Sequence, residues 1–226
     1  DEDPDRSDYG QRVHKILEAF TQRVAGLPPP FEGAVTPANR DAAQARLNEI
    51  AAAVFADDLR GRALAHVWVT EFEAALPPLL DWLQQRGTAQ VRAEVDYERE
   101  LLPGVLLGGK ADRVEAHGEA LTVVDYKTGR PPRRADVESG EAVQLLHYAL
   151  LDERVTAVEY LPLRDGQKPL RVEAEDLAGL RDAVEARLRL SLRQLAAGAP
   201  MPALGDAGSC GWCDFAGICR KGDWHE

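Results

Sequence analysis

The stretch VVDYKTGRPP, residues 123–132, decides the fold and points to a chemical site. Val123 and Val124 are typical of the middle of a buried strand. Side chains two residues apart in a strand point to the same face, so Asp125 and Lys127 project together and Tyr126 projects to the other face. A carboxylate and an ammonium group in an apolar strand need a partner or a metal, because burying an unpaired charge is costly.

A second carboxylate is predicted to lie beside this pair. Residues 104–117 and 119–129 read as two strands joined by a turn near residues 117–120, and a hairpin centred there places Asp112 opposite Asp125. Two carboxylates this close repel each other, and a shared divalent cation removes the repulsion. Mg²⁺ or Mn²⁺ at this position is one interpretation. The other is that Asp112 is a surface charge and that Asp125 and Lys127 form a structural ion pair.

The rest of the chain predicts an α/β fold with a mixed central sheet flanked by helices. Helical periodicity occurs near residues 9–26, 39–58, 62–87, 138–153 and 175–198. Strand patterns occur at residues 89–101 and 155–164, in addition to the two strands of the hairpin. The order places a helical region before the sheet and a crossover helix within it. Residues 27–88 carry no motif and are predicted to be a helical subregion or insertion.

Composition limits the classes of protein. The 226 residues suffice for one sizeable domain, and no apolar run is long enough to span a membrane. The three cysteines do not resemble a secreted disulfide framework, so we expect a cytoplasmic protein. The first residue is Asp and the single methionine is Met201, so we expect a piece of a longer protein. The net charge of −11 argues against a general nucleic-acid coat, although residues 110–134 hold six basic and four acidic residues.

The segment GGKADRVEAHGEALTVVDYKTGRPP, residues 108–132, resembles the active-site core of the PD-(D/E)XK nuclease superfamily. It resembles in particular the RecB-like and AddB-like branch of bacterial helicase–nuclease repair complexes. The resemblance implies a restriction-endonuclease-like core. It also implies that Asp112 and Asp125 bind the catalytic metal and that Lys127 takes part in catalysis.

Three further elements match this branch. GQRVHKILEAF, residues 10–20, resembles its G-x-x-x-H helix and implies that His14 is a metal ligand. QLLHY, residues 144–148, matches its Q-x-x-x-Y element, so Gln144 and Tyr148 are predicted catalytic residues on one helical face that could point toward DNA or toward the site. Glu94 falls where the branch often has a first-strand Glu, but it receives the least weight because this strand carries several acids.

The tail at residues 205–226 carries the pattern C-x2-C-x5-C, formed by Cys210, Cys213 and Cys219. Three thiolates are one short of a structural zinc or iron–sulfur set. The resemblance implies a [4Fe-4S] cluster in the full-length protein, with a fourth cysteine upstream of the first helix; the alternative is a degenerate site. Trp212 and Phe215 alternate with the cysteines and fit a small hydrophobic plug.

The resemblance implies a single nuclease domain over residues 1–226. Its activity would be Mg²⁺-dependent hydrolysis of DNA as an exonuclease, in a helicase–nuclease of double-strand break repair and recombination. Its partners would be DNA ends and a helicase domain or subunit, with DNA approaching over Arg130, Arg133 and Arg134. One alternative is a catalytically silent DNA-binding or scaffold module of such a complex. Another is an iron–sulfur or zinc protein unrelated to nucleic acid, which leaves the D-x-K segment unexplained.

Overall fold

A computed structural model of the chain describes residues 6–60, 65–87, 90–164, 166–200, 205 and 210–219. The chain divides into two compact units, Asp1–Glu185 and Ala186–Glu226. The first contains the sheet, and the second contains the end of the last long helix and the cysteine tail. Within the described ranges, no helix combines the length and apolar character that a membrane crossing requires. That the whole chain acts as one domain stays a prediction.

Three helices come before the sheet and two lie within the crossover. The helices of the first unit are α1 (Arg6–Thr21), α2 (Arg40–Leu59), α3 (Ala65–Arg86), α4 (Arg134–Glu138) and α5 (Gln144–Leu151). A longer helix, α6 (Ala174–Ala196), starts in the first unit, and a short helix covers Ala216–Cys219 in the tail. Helix α1 ends before the predicted position because the chain turns back, so that the Phe31 ring stacks on Phe20 at 5.3 Å and the Phe31 N–H donates to the Phe20 carbonyl.

The sheet is mixed, as predicted. Its strands are β1 (Gln90–Leu102), β2 (Val105–His117), β3 (Ala120–Lys127), β4 (Val155–Pro162) and β5 (Leu170–Glu173), and they lie in that order. Strands β3 and β4 are parallel, and every other neighbouring pair is antiparallel. Strand β5 was not predicted, because four residues that run directly into α6 are too few to show a period of two. Helix α4 was not predicted either, because its five residues are too few to show a helical period.

Both faces of the sheet are covered. Val124 and Tyr126 of β3 pack with α1, α2 and α3 on one face. Val123 of β3 packs with α5 and the start of α6 on the other face, together with Val158 and Tyr160 of β4. Since side chains alternate along β3, Asp125 falls on the α5 face. This three-layer arrangement confirms the predicted fold, a restriction-endonuclease-like α/β core with an N-terminal helical region.

The predicted register between β2 and β3 is also confirmed. Their antiparallel pairing runs from His117↔Ala120 to Arg113↔Val124. The backbone pairing ends at Arg113 and Val124. Beyond them, the Tyr126 N–H donates to Oδ2 of the Asp112 side chain at 2.9 Å. The strand pair therefore opens where the two predicted carboxylates meet.

Candidate metal centre and active site

Strands β1 and β2 are distorted at one shared position. The pairs Ala93↔Arg113 and Val95↔Ala111 bracket Glu94 and Asp112, which therefore lie opposite each other. Glu94 has φ 49°, a left-handed conformation that side-chain-bearing residues rarely adopt. Such local strain is typical of functional sites.

The distortion changes which way the side chains point. Ala111 and Val114 pack in the same core although they are three residues apart, so the alternation along β2 breaks between them. Glu94 and Asp112, as cross-strand partners, share one face of the sheet at this break, and both line a cleft.

This cleft has a volume of about 600 Å³ and collects most of the predicted catalytic and metal-binding residues. Besides Glu94 of β1 and Asp112 of β2, helix α1 contributes His14, β3 contributes Asp125 and Lys127, and α5 contributes Gln144. Five separate elements thus converge on one opening, although His14 and Gln144 are 130 positions apart in the sequence.

Three of the lining residues form a candidate metal site, here called the metal cluster: His14, Glu94 and Asp112. One ligand atom from each lies within 4.8 Å of the others. One imidazole nitrogen and two carboxylates suit a divalent cation. Glu94, to which the sequence gave the least weight, thus joins the predicted ligands His14 and Asp112, and Asp125 as a further ligand stays a prediction.

The contacts of His14 determine which of its nitrogens could bind a metal. Its Nε2 lies 3.1 Å from the Tyr126 carbonyl oxygen, which can only accept, so Nε2 carries a proton. The neutral ring then presents Nδ1 as its basic nitrogen, 3.3 Å from Asp112 Oδ1. Burial lowers the pKa of His14, but Asp112 and Asp125 outweigh burial and the net pKa is raised. A carbonyl that fixes the tautomer of a histidine ligand is a common feature of metal sites.

Asp125 and Lys127 lie beside the metal cluster as an ion pair. Lys127 Nζ is 2.7 Å from Asp125 Oδ2 and donates to Gln144 Oε1, also at 2.7 Å. Burial and the charge of Asp112 raise the pKa of Asp125 to about 6, although Lys127 and His14 oppose the rise. At Asp125, burial and the repulsion from Asp112 therefore outweigh the attraction of Lys127 and His14.

Gln144 and Tyr148 hold this pair from α5. The Tyr148 hydroxyl accepts from Gln144 Nε2 at 3.3 Å and lies within donor distance of Asp125 Oδ1, at 3.4 Å, and of the Lys110 carbonyl, at 3.1 Å. Tyr148 is buried and points into the site, whereas Gln144 is exposed at the cleft, and contact of this face with DNA stays a prediction. Burial is the main cause that raises the pKa of Tyr148, so the hydroxyl keeps its proton.

The three predicted DNA-binding arginines lie outside the residues that line the cleft. Arg133 pairs with Asp136 at 2.8 Å. Arg134 pairs with Glu138 at 3.4 Å and also donates to a backbone carbonyl. Arg130 is exposed and directly follows Gly129, which does line the cleft.

The cleft also contains cations that the sequence analysis did not single out for this site: Arg6, Lys15 and Lys110. Lys110 lies 3.4 Å from Glu94, which places it at the edge of the metal cluster. A signal for Glu94 existed in the sequence. A turn at residues 103–104 places Glu94 within one residue of Asp112, and the bulge between Glu100 and Leu102 completes the alignment.

The cysteine tail carries the three predicted cluster ligands and the two predicted plug residues. Cys210, Cys213 and Cys219 form no disulfide, and within the described part of the tail their thiols do not meet within 4.8 Å of one another. Their role as cluster ligands stays a prediction. Trp212 is 92% exposed and Phe215 is 66% exposed, so the predicted hydrophobic plug is wrong.

Comparison with known proteins agrees with the geometry of the cleft. The sequence matches the PD-(D/E)XK nuclease superfamily over residues 1–220, and the chain belongs to this superfamily. Membership indicates a metal-dependent nuclease. The uncharacterized protein RT0391 of Rickettsia typhi is 25% identical over 156 residues, which cover 66% of this chain but only 17% of that protein. The crystal structure of SSO0001 aligns with 93% of this chain and 95% of its own at 18% identity and a TM-score of 0.40.

Proposed function

We propose that the chain hydrolyses phosphodiester bonds in DNA with the help of Mg²⁺ or Mn²⁺. The observation that carries the proposal is the convergence of the metal cluster with the Asp125–Lys127 pair in one cleft. A structural ion pair alone does not account for it, because three carboxylates, Glu94, Asp112 and Asp125, meet only two lysines, Lys110 and Lys127. Carboxylates with raised pKa values gathered in a cleft are typical of a functional site.

In this proposal one set of residues binds the cation, and Lys127 stabilises charge on the phosphate. His14, Glu94 and Asp112 would hold the cation, and Asp125 would complete the set because its carboxylate interacts with both Asp112 and His14. Bound there, a divalent cation activates water and polarises a phosphoryl oxygen. Lys127 is fixed by Asp125 and Gln144, so its ammonium group can stabilise the negative charge that develops on the phosphate.

The wider context is also proposed. The G-x-x-x-H helix, the V-D-Y-K-T-G strand and the Q-x-x-x-Y helix support an assignment to the RecB-like branch. We further propose, on the basis of this assignment, exonuclease action on DNA ends, a helicase partner in double-strand break repair, and a cytoplasmic location. The cysteine pattern supports a [4Fe-4S] cluster in the parent protein. Absorbance near 400 nm in a longer chain, lost on Cys213→Ser, tests the cluster separately from nuclease activity.

The nuclease proposal is tested with end-labelled linear DNA, single- and double-stranded, in Mg²⁺, Mn²⁺ or EDTA. We expect degradation with either metal and none in EDTA. Glu94→Gln and Asp112→Asn should each weaken Mn²⁺ binding at least tenfold, on the scale of changes at metal sites. Glu98→Gln, on the same strand but outside the residues that line the cleft, is the matched control. DNA binding without any cleavage would instead favour the silent module.

A further inference from the structure

Helix α5 contacts one short segment of β2, here called the glycine segment, residues 108–110. The pairing of β2 with β3 covers residues 113–117 of β2, and α5 contacts β2 before that range. The Gly108 carbonyl oxygen lies 3.0 Å from His147 Nε2. Since a carbonyl oxygen can only accept, Nε2 carries a proton and donates it. A side chain of α5 thus supplies the hydrogen bond that a neighbouring strand would otherwise give.

A second carbonyl of the glycine segment also meets α5. Carbonyl groups two residues apart in a strand point to the same edge of that strand. The Lys110 carbonyl oxygen lies 3.1 Å from the Tyr148 hydroxyl, which is also 3.4 Å from Asp125 Oδ1. The glycine segment therefore contacts α5 at both of its ends, and Tyr148 connects it to the pair formed by Asp125 and Lys127.

Gly109, between these two carbonyls, lets α5 approach β2 closely. A Cβ atom at this position would lie 2.9 Å from Leu151 Cδ1 and 3.3 Å from His147 Nε2. Carbon atoms make their best contact at about 3.5–4.0 Å, so an added Cβ would push against α5. Leu151 is buried and has little room to move away. Gly109 does not have a positive φ, so the contact with α5, and not the backbone conformation, requires glycine here.

The face of α5 that contacts the glycine segment also holds the lysine of the site. His147 and Leu151 contact the glycine segment, and Gln144 and Tyr148 lie three or four residues from them, on the same face of the helix. Gln144 Oε1 accepts from Lys127 Nζ at 2.7 Å, and Gln144 Nε2 donates to the Tyr148 hydroxyl at 3.3 Å. A shift or rotation of α5 would therefore move the groups that hold Lys127.

We propose that His147 and Gly109 are positioning residues, which fix α5 on the glycine segment and thereby set where the Lys127 ammonium group points. The inference rests on the proposed function, since Lys127 acts on the phosphate there. Strand β2 also carries Asp112 two residues after the glycine segment, so one strand places both a member of the metal cluster and, through α5, the lysine. Neither His147 nor Gly109 is among the residues that line the cleft, so both act through α5.

The first test compares Gly109→Ala with Gly108→Ala, which adds the same methyl group one residue earlier. The Cβ added at Gly108 would meet its nearest atom, the Tyr97 carbonyl oxygen, at an ordinary 3.8 Å. Cleavage of linear DNA is measured in Mn²⁺, and the Gln144 side-chain amide is followed by NMR in the metal-free chain. We expect kcat to fall at least about tenfold in Gly109→Ala with KM within about twofold, because misplaced groups slow the chemical step. We expect wild-type kcat and Gln144 signals in Gly108→Ala.

Two further variants separate positioning from a general loss of structure. Leu151→Val removes the Cδ atoms that the added Cβ meets, so the double variant Gly109→Ala/Leu151→Val should regain most of the kcat of Leu151→Val alone. His147→Gln keeps a donor nitrogen at the same number of bonds from Cβ and should keep wild-type kcat. His147→Leu has no donor and should lower kcat at least about tenfold and shift the Gln144 signals.

The Gln144 signals decide the inference independently of cleavage. Unchanged Gln144 signals in both Gly109→Ala and His147→Leu overturn it, whatever the rates. Equal losses of kcat in Gly109→Ala and Gly108→Ala, or in His147→Gln and His147→Leu, also overturn it. A wild-type chain that cleaves no DNA overturns the proposed function instead, and the Gln144 signals then still decide whether the two residues position α5.

Discussion

Two clusters of charged side chains lie on neighbouring parts of the same sheet and differ in how their charge is balanced. The first, here called the buried ionic network, consists of Trp82, Arg86, Arg113, Glu115 and Glu159, and its two carboxylates each meet at least two basic partners. At the metal cluster, three carboxylates share Lys110 and Lys127, and the pKa values of Glu94 and Asp125 are raised. Each carboxylate of the network is thus paired by arginines, whereas the carboxylates at the metal cluster outnumber the lysines that contact them and favour a cationic ligand.

Breaking the network should cost the most stability. Glu115→Gln removes the carboxylate that holds Arg86 and Arg113, and leaving buried charge uncompensated costs about 3–5 kcal/mol. Urea unfolding measures the loss, with Glu119→Gln in the exposed turn as the control. A loss no greater than that of the control would show that the network is not structural.

Removing a charged side chain from the cleft should instead lower the rate of cleavage. Lys127→Ala removes a positive charge that we assign to the transition state, so cleavage should slow at least about 100-fold. Affinity for uncleavable phosphorothioate DNA should change little. Lys15→Ala is the control, since Lys15 also lines the cleft but pairs with Glu18. Wild-type rates at saturating metal would exclude Lys127 from the chemical step.

The sequence was sufficient to predict part of the cleft. The turn at residues 117–120 fixed the register of β2 and β3, and with it the meeting of Asp112 with β3. Strand β5 was not predicted because it is short. Glu94 received the least weight as a site residue, although it lies in the metal cluster. A hairpin argument locates Glu94 only to within one residue, and the bulge near Leu101 that decides its partner leaves no clear pattern.

The buried ionic network was not predictable in the same way. Arg113 and Glu115 lie two residues apart, but Arg86 and Glu159 reach them only once α3 packs across the sheet. The sequence placed Tyr126 only on the face opposite Asp125 and Lys127, and the hydrogen bonds of Tyr126 to His14 and Asp112 are made by its backbone. Periodicity reports which face a side chain occupies, but long-range backbone contacts depend on the packed structure.

The burial of Asp125 beside Asp112 predicts that the stability of the metal-free protein depends on pH. Asp125 is 1% exposed and its pKa rises from 3.8 to about 6 on folding, so the stability linked to it is present below pH 4 and lost as pH rises through 6. At pH 7.5 in EDTA, Asp125→Asn should therefore be about 2–3 kcal/mol more stable than wild type. Urea unfolding at pH 4 and 7.5 measures the difference, and a gain that does not shrink at pH 4 contradicts the assignment.

The smallest effect concerns the surface around the cleft. Arg130 makes no ion pair within the described part of the chain, whereas Arg133 is neutralised by Asp136. If Arg130 contacts a DNA phosphate, Arg130→Gln should reduce the slope of log affinity against log salt by about 0.7–0.9. The charge-neutral double variant Arg133→Gln/Asp136→Asn should leave the slope almost unchanged, because it removes equal positive and negative charge. Filter binding of uncleavable DNA across a salt series measures both, and a larger change in the double variant would move the DNA path away from Arg130 and toward α4.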